Sequence, residues 1–315
     1  MIVRTSARWG GLVVLFLASL SVQAQAPTFR SDVNLINATF SARTPQGTVV
    51  SDLRQEEVQV FEDDVPQTIR FFDSSTLPLT IGLIVDVSNS QQRFFRDHRR
   101  DLEAFLKDAM RPQDQAFLVC FGNHLRLVSD LTSSISNIID AYARFERGDR
   151  NFPELGPDEN RSEGTALFDA IYYSATEKLQ TSGRGRRALI VFSDGEDNSS
   201  AHDVVDAIDA AQSADILVYS VRYARQRGLV TSRNKYGARV MKRIAHDTGA
   251  DDFDATNGAN LDNTFKQIGA ELRTLYTAAY HATNRRRDGT FRRVTVKVSR
   301  PDVIVRTKAG YYAKP

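Results

Sequence analysis

The hydrophobic pattern divides the chain into two β-type flanks and a central region of a different kind. In the flanks, short apolar stretches alternate with polar residues and are interrupted by turns, as in Val58-Gln59-Val60-Phe61. In the centre, from Leu79 to about Tyr276, apolar runs alternate with amphipathic stretches. We therefore predict strands in the flanks and alternating strands and helices between them.

The central apolar runs predict five strands, and four of them are almost continuously hydrophobic. Parallel strands that are covered on both faces show this pattern. Stretches with helical periodicity separate the strands, while 223–238 predicts a long loop with basic residues in it and at its borders. The alternation predicts a doubly wound, mostly parallel α/β sheet. The predicted strands are Thr80–Val85, Ala116–Phe121, Leu125–Leu127, Ala188–Phe192 and Ile216–Val221.

Each flank is small for an independent hydrophobic core. The economical interpretation is one β-sandwich built from residues 27–77 and 277–315, with an α/β domain over 79–276 inserted between them. Two separate β appendages are the alternative. In the second flank, Asp288-Gly289 lies between two strand-like stretches and predicts a hairpin.

Residues 1–24 have the features of a secretory signal peptide. Arg4 and Arg8 precede the apolar run Gly10–Leu20, and Val22-Gln23-Ala24 places small residues before a cleavage point. The alternative is a retained membrane anchor, but the run is shorter than the roughly 20 residues of a spanning helix. We expect export to the periplasm or beyond, with no stable membrane insertion after cleavage.

Composition removes several function classes. The 41 Lys and Arg residues nearly balance the 39 Asp and Glu residues, so a basic surplus for binding nucleic acid or anionic lipid is missing. The single cysteine, Cys120, cannot form an internal disulfide and excludes zinc or iron–sulfur sites built from several cysteines.

Oxygen-bearing side chains follow two of the predicted strands and precede one helix. Asp86 ends the first strand and is followed by Ser88 and Ser90. Asp194 ends the strand that begins at Ala188. Thr165 lies directly before a predicted helix. In an open α/β sheet, ligands bind beyond the carboxyl ends of the strands. Each piece alone could be a helix cap or a turn. Together they form a hard oxygen set, which favours Mg²⁺, Mn²⁺ or Ca²⁺ over zinc.

These residues resemble a known family. Asp86-Val87-Ser88-Asn89-Ser90 matches the D-x-S-x-S motif of von Willebrand factor type A domains, and Thr165 and Asp194 match that family's second and third loops. The resemblance implies a metal-ion-dependent adhesion site. It implies direct coordination by Ser88, Ser90 and Thr165, with Asp86 and Asp194 acting directly or through water. It also implies strand order 3-2-1-4-5-6, with the third strand antiparallel at one edge.

Both flanks extend the resemblance to exported bacterial proteins related to this family. The segments that carry it are 60–69, 289–298 and the closing Gly310-Tyr311-Tyr312-Ala313. Two positions differ from the family pattern. Asn89 stands between the two serines where the family usually has glycine, and Asp64 stands after Glu-Asp where the family usually has glycine.

The predicted function is recognition of a protein partner that offers Asp or Glu to a bound Mg²⁺ or Mn²⁺, with Ca²⁺ less suited, and no enzymatic activity. A site with two anionic groups leaves a divalent cation attractive to a further carboxylate. Glu196 and Asp197 are expected to be solvated residues at the rim. Two alternatives stay open: a scaffold with a vestigial metal site, and a Mg²⁺-dependent phosphohydrolase. The second lacks a carboxylate at the Ser88 position, a lysine in the three loops and an evident general base.

Overall fold

A six-stranded sheet forms the centre of the structure, a computed structural model that describes residues 35–157, 163–183, 185–224, 232–255 and 261–314. Residues 34–315 form one compact unit. The predicted signal peptide, 1–24, lies outside the described residues. Within the described ranges, no helix combines the length and apolar character needed to cross a bilayer.

The order of strands in the central sheet is β10-β9-β8-β5-β6-β7. All neighbouring pairs are parallel except β6 and β7, so the one antiparallel strand lies at an edge. If the six strands are numbered by their order along the chain and counted from the β7 edge, their order is 3-2-1-4-5-6, which confirms the predicted fold. Their bounds are β5 Leu79–Asp86, β6 Gln115–Phe121, β7 Leu125–Thr132, β8 Arg186–Ser193, β9 Ile216–Arg222 and β10 Asp252–Asp254.

Six helices cover both faces of this sheet. One face packs against α1, α2 and α6 through residues such as Phe105, Ile138 and Phe265. The other packs against α3, α4 and α5 through residues such as Ile171 and Ile244. Burial on both faces explains why the strand sequences are almost continuously apolar. The helices are α1 Phe95–Ala109, α2 Ile135–Glu146, α3 Leu167–Tyr173 with a π-helical continuation Ser174–Leu179, α4 Val204–Ser213, α5 Ser232–Thr248 and α6 Asp262–Arg273.

Two four-stranded antiparallel sheets combine the N-terminal and C-terminal segments, as predicted. Their orders are β13-β1-β11-β4 and β14-β12-β2-β3. Phe40, Val60, Tyr276, Tyr280 and Val296 pack between them. The strands are β1 Leu35–Arg43, β2 Val58–Glu62, β3 Val65–Gln67, β4 Ile69–Asp73, β11 Tyr276–His281, β12 Phe291–Val298, β13 Ile304–Thr307 and β14 Gly310–Tyr312.

The β-sandwich contacts the end of the central sheet where the parallel strands begin. Arg43 of β1 and Arg306 of β13 both pair with Asp251 at the edge of the sheet, directly before β10, which pairs with the carboxyl half of β9. Lys308 Nζ lies 2.5 Å from an oxygen of Asp215, directly before β9. The carboxyl ends of β5, β6 and β8 therefore lie at the opposite edge of the sheet from this junction.

Two local predictions were wrong. The Asp288-Gly289 hairpin does not form, because β11 pairs with β1 and β4 whereas β12 pairs with β2 and β14. The Asp288 carboxylate instead accepts hydrogen bonds from Thr290, in a local turn within the connection between the two sheets. The loop predicted over 223–238 is helical from Ser232 onward, as the first part of α5.

Candidate metal centre

Three loops meet at the carboxyl edge of the central sheet. Asp86 is the last residue of β5, and it pairs in register with Phe121, the last residue of the neighbouring β6. On the other side of β5, Val85 pairs with Phe192, so Asp194 follows β8 at the same level. Parallel strands thus place the first and third predicted loops side by side.

Hydrogen bonds join four of the five predicted site residues. Ser90 Oγ donates to Asp194 Oδ2 at 2.8 Å, and the Ser88 and Ser90 hydroxyl oxygens lie 3.1 Å apart. The Ser88 amide donates to Asp86 Oδ1 at 2.9 Å. Asp86, Ser88, Ser90 and Asp194 therefore form one connected polar cluster, although 104 residues separate Ser90 from Asp194 along the chain.

Thr165 lies in the same cavity as Ser88 and Ser90, which has a volume of about 850 Å³. Its amide donates to Asn198 Oδ1 at 2.7 Å, and its carbonyl accepts from the Asn198 amide at 3.0 Å. The next amide, of Ala166, donates to the carbonyl of Gly122, just beyond β6. These bonds hold the second loop between the third loop and the residues after β6, and the shared cavity places it beside Ser88 and Ser90, so all five predicted residues lie at one edge of the sheet.

In the described part of the chain, the two carboxylates of the cluster have no basic partner. Asp86 is fully buried, and within the described ranges neither Asp86 nor Asp194 forms an ion pair with lysine or arginine. Burial and the neighbouring charge of Asp194 together raise the pKa of Asp86 to about 7, although hydrogen bonds from Ser193 and Ser88 act in the opposite direction. A cation between two such groups would offset both the desolvation and the repulsion.

The donor set fits a hard divalent cation. Carboxylate and hydroxyl oxygens are ligands that Mg²⁺, Mn²⁺ and Ca²⁺ accept, and the cluster offers no imidazole or thiolate. The buried Asp86 and the half-buried Asp194, which have no basic partner in the described ranges, give an independent electrostatic reason for a cation at this position.

Sequence reasoning missed three residues that hold these groups in place. Ser193 Oγ donates to Asp86 Oδ2 at 2.6 Å, and Asn198 holds Thr165. Gln91 is almost fully buried, and its Nε2 donates to Asp194 Oδ2 at 2.8 Å and to the Tyr223 carbonyl at 3.1 Å. Each of these three residues lies within four residues of a predicted site residue. Their polar side chains, so close in sequence to the predicted carboxylates, are the signal by which they could have been predicted.

The third loop packs tightly against α5. Gly195 has φ +83°, and a Cβ atom at Gly237 of α5 would overlap the Asp194 carbonyl oxygen. A side chain at either position would therefore push the loop that carries Asp194 away from the helix.

Asp197 is not the solvated rim residue that we expected. Its Oδ2 accepts from the Phe168 amide at 3.0 Å and from Ser200 Oγ at 2.5 Å. Burial raises its pKa above the usual value despite these bonds. Asp197 therefore binds a backbone donor in the first turn of α3, next to Thr165.

The family model for the von Willebrand factor type A domain matches residues 80–267, which is more than half of the chain. Together with the strand order, this match shows that the chain belongs to the von Willebrand factor type A domain family. The comparison with curated proteins finds no match.

Several solved structures are similar to this chain at low sequence identity. One is the conserved hypothetical protein BatB from Bacteroides thetaiotaomicron: 18% identity, 61% of this chain and 96% of that chain covered, TM-score 0.45. Another is a von Willebrand factor type A protein from Catenulispora acidiphila: 14% identity, 77% and 51% covered, TM-score 0.48. A third is the vWF domain of the type V pili tip protein Mfa5 from Porphyromonas gingivalis: 13% identity, 62% and 95% covered, TM-score 0.41.

Proposed function

We propose that this protein is a metal-dependent recognition module of the cell envelope. It binds an aspartate or glutamate of a protein partner through a divalent cation, Mg²⁺ or Mn²⁺ in preference to Ca²⁺. Domains of this family mediate protein–protein interactions. The observation that carries the metal dependence is the carboxylate pair Asp86 and Asp194, which is buried or half-buried without a basic partner in the described part of the chain.

The five predicted residues would hold the ion. Asp86 and Asp194 would supply negative charge, while Ser88, Ser90 and Thr165 would supply neutral oxygens. When bound, the cation would supply a positive charge to which a partner's carboxylate can bind. Gln91, Ser193 and Asn198 would keep these groups in position before the partner arrives.

We propose binding rather than catalysis as the role of this centre. Cys120 lines the cavity, but burial raises the pKa of its thiol well above the usual value, which disfavours the nucleophilic thiolate. His98, in the first turn of α1, is buried, and burial lowers its pKa to about 3. Neither group is suited to act as nucleophile or general base near neutral pH.

Titration of Mg²⁺ alone into the metal-stripped full chain tests the metal site first. We expect calorimetric binding by the wild type and none by Asp86→Ala or Thr165→Ala. Asp97→Ala is the matched control, because Asp97 is an exposed carboxylate on α1. Equal Mg²⁺ binding by the wild type and Asp86→Ala would contradict the proposal.

Capture from an envelope extract then tests recognition. Immobilised wild-type protein should retain a partner in Mg²⁺ and release it in EDTA, whereas Asp86→Ala should retain none. A partner that stays bound in EDTA would instead favour a scaffold whose ion is vestigial. Turnover of an aryl phosphate that disappears in Asp86→Asn would favour a phosphohydrolase.

A further inference from the structure

The cavity that contains the proposed metal ligands has a second, basic wall. Its volume of about 850 Å³ is in the range of pockets that enclose whole ligands, and is far more than one carboxylate needs. Ser88, Ser90 and Thr165 lie on one side. The residues on the β7 side include Arg126 and Arg150.

Arg150 is a positioned cation in this wall. Its guanidinium lies 4.0 Å from the centre of the Phe145 ring. Its Nη1 donates to the Phe145 carbonyl at 2.5 Å and to the Asp149 carbonyl at 3.1 Å. Within the described ranges these acceptors are neutral, and the Asp149 carboxylate pairs with Arg144 instead. The charge of Arg150 is therefore held in place by stacking and carbonyl contacts that do not cancel it.

Arg126 differs, because its charge is already balanced. Its Nη1 lies 3.1 Å from Glu154 Oε2 and donates to the Phe152 carbonyl at 3.2 Å. The other Glu154 oxygen accepts from the Leu125 amide at 2.6 Å. Arg126 and Glu154 thus support the wall, and Arg150 supplies its net positive charge.

The strand register gives the distance across the cavity. Arg126 pairs with Cys120, and Cys120 pairs with Val85, the residue before Asp86. Two strand spacings, or about 10 Å, separate Arg126 on β7 from the end of β5, and Arg150 lines the same cavity as Arg126. An extended peptide spans that distance in about three residues.

The remaining wall carries the opposite charge. Glu163 is exposed and lines the cavity on the side of Thr165. A bound segment with further acidic groups would be repelled from that side and attracted to the β7 side. The cavity is therefore acidic near α3 and β8 and basic near β7.

We propose that the partner segment carries two acidic residues, two or three positions apart: one binds the cation and the other pairs with Arg150. This inference rests on the proposed function, because the first acidic residue requires the metal. It specifies the partner further, as an extended acidic segment that runs from the metal site toward β7.

Synthetic peptides test this without knowledge of the natural partner. The probes are six-residue glycine–serine peptides, blocked at both ends and fluorescently labelled, with one aspartate or with a second aspartate two or three positions away. Binding to the Mg²⁺-loaded full chain is measured by fluorescence anisotropy at low ionic strength. We expect the second aspartate to raise the affinity about tenfold, the size of one charge-assisted contact.

Arg150→Gln should abolish that gain while leaving the affinity for the one-aspartate peptide unchanged, which also shows that the variant is folded. Arg144→Gln is the matched control, because Arg144 is an exposed arginine of α2 outside the cavity lining, and it should keep the gain. Two results would overturn this inference alone. One is Mg²⁺-dependent binding with the same affinity for the one-aspartate and two-aspartate peptides. The other is a gain in affinity from the second aspartate that is also seen with Arg150→Gln. Binding of every peptide without regard to Mg²⁺ would overturn the proposed function as well.

Discussion

The two ends of the central sheet treat buried carboxylates in opposite ways. At the amino end, Asp114 accepts from the Leu79 and Arg111 amides and pairs with the buried Arg273. At the carboxyl end, Asp86 accepts from Ser88 and Ser193 and lies next to a second carboxylate, Asp194. Both Asp114 and Asp86 are inaccessible to solvent. Their surroundings, and not their burial, decide whether the charge is compensated within the fold.

The pKa values record this difference. Burial alone would raise the pKa of Asp114, but hydrogen bonds from Arg273 and the two amides outweigh it and hold that pKa below its usual value. For Asp86, burial and Asp194 act in the same direction and raise the pKa to about 7. A carboxylate that is fully paired stabilises the fold, whereas one without a counter-charge is available to a ligand.

The largest effect is expected for Asp114→Ala. The substitution leaves Arg273 buried without its counter-charge and two amides without their acceptor, which should cost about 3–5 kcal/mol. Urea unfolding at pH 7 measures the loss. The wild-type contribution should persist above the ordinary Asp pKa and disappear as the pH falls through the lowered folded value. A loss below about 1 kcal/mol would remove the contrast between the two ends.

A smaller loss is expected for Asp251→Ala, where the β-sandwich meets the edge of the sheet beside β10. Asp251 pairs with Arg43 at 3.1 Å and with Arg306, and all three side chains keep some solvent contact. Water can solvate the two arginines in part, so we expect a loss of about 1–3 kcal/mol in urea unfolding. Asp252→Ala is the control, because the Asp252 side chain is more exposed and contacts His246. Equal losses for the two variants would show that the arginine pairs do not hold the junction.

The features that sequence could predict are those that follow from local pattern. Apolar runs located five of the six strands of the central sheet but not the short β10, and the abrupt polar residues after β5 and β8 located Asp86 and Asp194. Because parallel strands end at a common edge, both loops were expected at that edge, and the strand order implied by the family resemblance made β5 and β8 neighbours.

The features that sequence could not predict depend on partners far apart in the chain. Arg273 lies 159 residues from Asp114, and nothing near either residue indicates the other. The same holds for Glu62, whose Oε2 accepts from Tyr280 at 2.8 Å and from Tyr311 at 2.9 Å and so joins three strands of the β-sandwich. The start of α5 was missed because Ser232–Gly237 lacks apolar periodicity, and its glycine is explained by the close approach to Asp194.

The smallest effect, and the one with the opposite sign, is expected for Asp86→Asn in metal-free protein. The amide keeps an oxygen for the Ser88 or Ser193 donor but removes the uncompensated charge next to Asp194. Replacing a charge of this kind by a neutral group should stabilise the fold by about 1 kcal/mol. Thermal unfolding in EDTA at pH 8 should therefore show a higher Tm for Asp86→Asn than for the wild type.

Addition of Mg²⁺ should reverse the order, because an ion that binds only the folded wild type raises its stability and leaves that of the variant unchanged. If Asp86→Asn lowered the Tm in EDTA, as Asp114→Ala should, the carboxyl end would be a compensated site like the amino end and would have no electrostatic need for a cation.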